Sequence, residues 1–584
     1  LTASLAGTFG SFDENRLKAF VSSPLPLGFS FSAAGLYGRR DDYYDVHPAS
    51  VVRSFPGEMQ KGARVKLKWA PVDFFEATAA GQLLDTDGLG TALNAMLEPS
   101  PLSTALLVTA KGDRVAGVDV PPFQKNRSRV AHLTMALHPG WFDVKNIISY
   151  QEVRNRAQFD FDGSEMPIVG FYTTKPLFGD NFTEELQILS NENTPFSDWL
   201  EWIAGFYFID DSSGFKRLDV TVGDLPQLTA LGFPDLALPG VDNVTVGLVG
   251  ILDTTSPAGF FQGTLKPLDW VDVTFGGRYL TERREIRRNS SFLDLNGTTT
   301  PLFVFPDRER NDSNFSPKAV LAVRPFDRFA PGIFDELMTY FSWAKGFKSG
   351  TYNILNITEA GDEVKSEEVT TYELGVKSTF LDGRVRANGA LFRNEIEDLQ
   401  SQFISLLSGG TTNLDNAGEA SIEGFELEVI AGLLRDLYLN VGATYLDGVY
   451  DDFRNASGFD PQTGLFATSV DNTGNTIVRT PEWTVNAGLI YTLDVWRGVV
   501  EAGADVYYNS GYFFDTQNTA EQPSHWVTNA RLGYLYEPWN LRVTGFGLNV
   551  NDADYYLTKF VQDFGVTGKL ALPATYGVRI DWEF

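Results

Sequence analysis

The sequence predicts an all-β fold: a transmembrane, antiparallel up-and-down β-barrel of about 22 strands, with short periplasmic turns and long extracellular loops. Three observations carry this. Apolar and polar residues alternate with period two along most of the chain, tight connections alternate with long polar ones, and tryptophans gather beside the tight ones.

Taken in chain order, Leu1–Phe12 and Asn15–Ser23 read as a first hairpin. Ala63, Val65, Leu67 and Trp69 then oppose Arg64, Lys66 and Lys68, as an extended chain with one greasy face requires. Tyr372, Leu374, Val376 and Phe380 oppose Thr371, Glu373, Lys377 and Thr379, and Val500, Ala502, Ala504, Val506 and Tyr508 oppose Glu501, Asp505 and Asn509. The last ten residues repeat the pattern, with Tyr576, Val578, Ile580, Trp582 and Phe584 on one side and Arg579, Asp581 and Glu583 on the other. Helical periodicity is rare; the segment around Leu89–Leu97 is the one plausible short helix.

Tight turns are predicted at 71–73, 138–140, 266–269, 381–384, 434–436 and 537–540, each with Pro, Gly or Asp where the backbone must reverse. Long loops are predicted at 40–58, 85–126, 156–179, 210–255, 347–364 and 451–476. A barrel of about 22 strands encloses more space than side chains can fill, so its apolar face must meet lipid and its charged face a wet lumen. The lumen-lining candidates are Arg64, Lys66, Lys68, Arg278, Glu373, Lys377, Glu426, Glu428, Glu501, Asp505 and Arg579; their mixed signs favour mutual pairing or contact with a plug over substrate guidance. Trp69, Trp141, Trp199, Trp270, Trp496 and Trp539, beside the tight turns, would form a periplasmic aromatic girdle.

Composition narrows function. The 584 residues include no Cys and four His, which removes disulfides, thiolate metal sites and thiol nucleophiles, and no enzyme motif is present. No catalytic residue, metal site or cofactor is expected; Asp85-Thr86-Asp87-Gly88 resembles the start of a calcium loop but lacks the remaining ligands and reads as a polar loop. A net charge of -28 argues against a nucleic-acid partner. Aromatics beside acids in the predicted loops, at Tyr43, Tyr44, Tyr512, Phe513, Phe514, Tyr555 and Tyr556, are the substrate-binding candidates, suited to sugars, cations or apolar rings; the alternative is an outer girdle with solvated acids bridged to lipopolysaccharide.

Several blocks, in order, resemble the TonB-dependent receptors, outer-membrane transporters of Gram-negative bacteria. They include Thr183–Ser190 with Asp198–Tyr207, Gly276–Thr281, Asn314–Lys318, Ala344–Gly350 and Glu367–Ser378. Asn416–Gly418 with Ile422–Leu427, Arg479–Trp483 and the Phe-ended segment Thr575–Phe584 complete the series. The resemblance implies active uptake of a scarce nutrient, whether an iron chelate, cobalamin, an oligosaccharide or another small organic molecule. It also implies an outer-membrane location, contact with lipid and lipopolysaccharide, a plug domain linked to the TonB complex, and assembly by barrel-insertion machinery that reads Tyr576, Trp582 and Phe584. Residues 1–584 all read as barrel, with no plug-like sequence or TonB box; a plug on a separate chain or in a missing segment is expected. The alternatives are a plugless diffusion channel and a soluble carbohydrate-binding β-protein.

Overall fold

A computed structural model describes residues 1–223, 243–295, 298–325, 334–355, 357, 363–403, 405, 413–460 and 466–584. One sheet of 24 strands dominates it. Two of these, Val169–Tyr172 and Thr298–Val304, are short additions outside the ring, and the other 22 pair with their neighbours in sequence order. The ring closes where Thr2–Gly10 pairs antiparallel with Thr575–Glu583, Ser4 opposite Glu583 and Gly10 opposite Gly577. Closure leaves the ring no unpaired edge, which a hydrocarbon solvent requires of a sheet that spans it.

The predicted first hairpin forms between Thr2–Gly10 and Glu14–Pro24. Its turn holds Phe12 and Asp13 at φ 60° and 50°, the positive values a tight hairpin takes. The predicted tight turns fall at the joins of consecutive strands: Glu58–Val72 reaches Phe75–Gly88 through Asp73 and Phe74, and Glu367–Phe380 reaches Val385–Glu397 through Leu381, Asp382, Gly383 and Arg384, the first three at positive φ. Parts of the predicted loops 210–255, 347–364 and 451–476 lie outside the described residues.

The faces divide as hydrocarbon and water demand. Val65, Leu67, Leu374, Val376, Val578 and Ile580 are all exposed on the outer face, where each gains from leaving water for lipid. Rings cluster at the short-turn end: Phe29 stacks on Trp69 at 5.7 Å, Trp496 on Tyr536 at 5.6 Å, and Trp582 lies 4.7 Å from Phe584.

At the long-loop end the strands overshoot the membrane. Leu200–Val222, Val244–Leu268 and Val271–Leu295 have 23, 25 and 25 residues, whereas about 9–11 suffice to span the hydrocarbon. Their ends and the loops between them fold into a cap with its own apolar cores. One gathers Leu106, Ile168, Val169, Val220 and Leu248 with Phe564; a second gathers Tyr44, Leu89, Leu93, Ala116, Val118 and Leu570; a third surrounds Tyr450 and Ile477. Most of the large side chains that are fully buried are in this cap rather than in the barrel wall.

Three expectations are corrected. The predicted loop 210–255 is strand through Val222 and again from Val244, the two strands pairing with each other beyond the membrane-spanning length. The 89–97 segment is not a helix: Ala95–Pro99 pairs as a strand with Gly565–Leu570, which pairs in turn with Tyr556–Gln562. The helix comes later, at Pro101–Ala105, where Ser100 caps it by accepting from the Ser103 amide at 3.2 Å. A strand partner far away in sequence outweighs the local i, i+4 spacing of Leu89 and Leu93. Asp85-Thr86-Asp87 is not loop but the end of the strand Phe75–Gly88, with Asp85 accepting from Arg127 at 3.1 Å and Asp87 from Lys125 at 2.7 Å on the adjacent strand.

Candidate functional site

Opposite-strand register carries one face unbroken around the ring, so Arg64, Lys66, Lys68, Arg278, Glu373, Lys377, Glu426, Glu428, Glu501, Asp505 and Arg579 share the face turned away from the exposed apolar residues. Much of this face is internally paired. Lys68 reaches Glu76 at 2.5 Å, Glu501 holds Arg531 and Arg542 at 3.1 and 3.3 Å, and Arg579 holds Asp581 at 2.6 Å. Glu373 accepts from the Tyr340 hydroxyl, Glu428 from Asn388 and Asp505 from Asn529. Arg278 stacks over the Tyr207 ring at 5.0 Å and Lys377 over Tyr340 at 5.8 Å.

The loop aromatics fall in two neighbourhoods joined by Tyr556, which packs against the core that holds Tyr43 and Tyr44. Tyr43 and Tyr44 turn into the cap: the Tyr43 hydroxyl donates to the Leu570 carbonyl at 2.7 Å, and the Tyr44 oxygen accepts from the Leu570 amide at 2.6 Å. Burial pushes the Tyr44 hydroxyl up to about 12. Lys569, also buried, donates to the Gly90 carbonyl and has its pKa lowered by desolvation. The other group lies around the last loop: Tyr555 stacks on His525 at 4.8 Å, Tyr556 lies under the Lys559 ammonium at 4.2 Å, and Tyr512 packs against Phe514 at 5.1 Å. Phe513 pairs through its backbone with Glu521.

Two cavities flank the hairpin built by Tyr556–Gln562 and Gly565–Leu570, and Phe560 touches both. The smaller, about 310 Å³, is lined by Phe403, Phe459 and Phe514 together with Arg479 and Lys559. Arg479 lies over the Phe514 ring at 5.4 Å. The larger, about 400 Å³, is walled by Phe159, Phe161 and Phe171. Phe171 stacks between the other two, 4.8 Å from Phe159 and 5.1 Å from Phe161. Its polar rim is neutral, with Asn94, Gln124, Asn155, Thr173 and Gln562. Thr173 is pinned by accepting from the Ala157 amide at 2.7 Å and donating to the Ala157 carbonyl at 2.9 Å. Asn94 is 8% exposed and its Oδ1 is buried without a hydrogen-bond partner.

Sequence reasoning missed this cavity and the acids behind it. In Phe159-Asp160-Phe161-Asp162-Gly163 the rings face the cavity while Asp160 and Asp162 turn the other way, 1% and 0% exposed, toward Asp119. Carboxylate oxygens of the three acids lie within 4.8 Å of one another, so among the described residues they are the group that could hold a cation. Asp160 accepts from the Asp119 and Gly163 amides, and Asp162 from the Val169 amide and the Ser164 hydroxyl. Burial dominates their protonation: Asp160 is raised well above the carboxylate range, Asp162 to about 7, and Asp119 is also raised. Alternating Phe and Asp was the available signal, but it reads as a lipid face and a water face unless a covering loop is known.

The family described as "TonB dependent receptor-like, beta-barrel" matches residues 85–551. The probable TonB-dependent siderophore receptor PiuA of Acinetobacter baumannii is 26% identical over 162 residues, 28% of this chain and 20% of that protein. The ferric-pyoverdine M114 receptor PbuA of Pseudomonas sp. is 25% identical over 248 residues, 42% of this chain and 28% of that protein. The chain therefore spans well under a third of the length of either curated relative. Among solved structures, the ferric yersiniabactin uptake receptor FyuA of Yersinia pestis superposes with a TM-score of 0.79 at 17% identity, covering all of this chain and 80% of that one. At that identity the likeness is one of fold.

Proposed function

Since the chain belongs to the TonB-dependent receptors through its β-barrel, we propose that it is an outer-membrane uptake receptor of a Gram-negative bacterium. It captures a scarce nutrient in the extracellular cap and passes it through the lumen when a plug, drawn on by the TonB complex, is displaced. The observation that carries this reading is the closed 22-strand ring with its ionic face inward and a folded, cavity-bearing cap over one end. Iron chelates lead the substrate classes because the relatives' names are those of siderophore and ferric-pyoverdine receptors. The paired charges on the inner wall suit contact with a plug, and Trp582 and Phe584, exposed at the closing seam, suit recognition by the assembly machinery.

The test is uptake of labelled iron by cells starved of it, with this gene intact or deleted and with TonB present or absent. The reading expects uptake that needs both; uptake that survives loss of TonB sinks the energised mechanism. A passive pore would show large steady openings in a planar bilayer, where a plugged receptor stays nearly silent.

A further inference from the structure

The 400 Å³ cavity walled by the three stacked phenylalanines has the size of a small-ligand site. What sets it apart is charge. The chain carries -28 overall, and its acids and bases crowd the inner wall, yet no described residue lining this cavity is charged. An anion here would find no cation, and the carboxyls of Asp160 and Asp162 lie behind the same strand end. A cation would find no carboxylate either, because those acids turn away from the rings and spend their oxygens on backbone amides and Ser164. Burying an unpaired ion of either sign is costly.

The cavity does offer hydrogen bonds. The amides of Asn94, Gln124, Asn155 and Gln562 and the Thr173 hydroxyl line it as neutral polar groups. Gly163 fixes the position of Asn94 from behind: at φ +67°, its place would put a Cβ 2.9 Å from the Asn94 carbonyl oxygen, so the backbones fit closely only around glycine. The rings supply flat apolar faces for C–H groups or a ring to stack on.

We propose that this cavity binds an electrically neutral ligand, one with a polar edge directed to the neutral rim of Asn94, Gln124 and Asn155 and an apolar face laid on the Phe159–Phe171–Phe161 stack. The proposal rests on the uptake reading and narrows its substrate class. A sugar ring and an uncharged metal chelate share this chemistry; a polyanionic chelate does not.

The experiment is titration calorimetry on the purified full chain in detergent with three probes: maltotriose, an uncharged ferric trihydroxamate and a trianionic ferric tricatecholate. At least one uncharged probe is expected to bind, and to bind about tenfold more weakly to Asn94→Leu and to Phe171→Ala. The identity of the binding probe separates sugar from chelate. Ala157→Lys, which places an ammonium in the cavity, is expected to weaken the uncharged probe and strengthen the tricatecholate by a similar factor. Heat-modifiable migration shows that each variant is folded, and an unfolded variant is replaced by Phe159→Ala. Failure of both uncharged probes to bind, or tricatecholate binding to the unaltered chain as tight as theirs and lost in Phe171→Ala, overturns the proposal. Neither TonB nor transport enters this measurement, so its failure is distinct from a failure of TonB-dependent uptake in cells.

Discussion

Asp162 places a carboxyl group in a fully buried site, where both its oxygens are occupied by the Val169 amide and the Ser164 hydroxyl, and burial raises its pKa to about 7. The folded chain thus holds a proton that the unfolded chain releases near pH 4. Stability from this group is full below about pH 4 and is lost as pH rises through about 7. Amide exchange at Gly163 and Val169, corrected for its intrinsic pH dependence, is expected to be faster at pH 8 than at pH 5, with the trend flattened near neutrality in Asp162→Asn. A second single-residue contrast tests the two faces. Val376, exposed to lipid, replaced by Arg should cost about 2–4 kcal/mol if it lies near midplane, and Lys377→Glu on the opposite face should cost far less. Folding yields in lipid vesicles, read as heat-modifiable barrel, compare them; equal losses would show the faces assigned backwards. The sequence made this alternation legible because lipid and water impose it residue by residue. It could not reveal Asn94, whose role depends on Phe171 and Gln562 arriving from elsewhere.

The hairpin Tyr556–Gln562 and Gly565–Leu570 shows the same limit for an element. Only Tyr556, at its start, is picked out by the sequence as a loop aromatic, and its pairing with Ala95–Pro99, more than 450 residues away in the chain, leaves no periodic trace. The predicted loop 85–126 is not a simple polar loop, since Leu89 and Leu93 lie buried within it, and 210–255 is strand through Val222 and again from Val244. Gly565 is the point at which the pairing can be broken. It sits at φ +121°, and a Cβ there would lie 2.1 Å from the Glu98 carbonyl oxygen. Gly565→Val should part the two strands at a cost of order 1–3 kcal/mol. Limited proteolysis within residues 100–114 should then quicken while the barrel stays heat-modifiable.

The molecule as a whole is stabilised in two different solvents. The ring's apolar residues point outward into hydrocarbon, and the cap buries its own in three clusters. Phe584 ties the ring together through paired backbone bonds with Ala3, donating at 3.0 Å and accepting at 2.9 Å. Deleting it should lower the yield of assembled barrel in the outer membrane; an unchanged yield would remove the terminal residue from the assembly reading.

The seam between Thr2–Gly10 and Thr575–Glu583 also has a consequence in time. Its contacts are among the most distant in sequence that a chain of 584 residues can make, and contacts of such high order form late. The three-stranded sheet of the cap joins segments 95–99 and 565–570, so it too must wait for the C-terminal strands to arrive. The wall is accordingly sealed only once Thr575–Glu583 has arrived, and the cavity walled by Phe159, Phe161 and Phe171 is completed only when Phe560, Gln562 and Thr567 reach it.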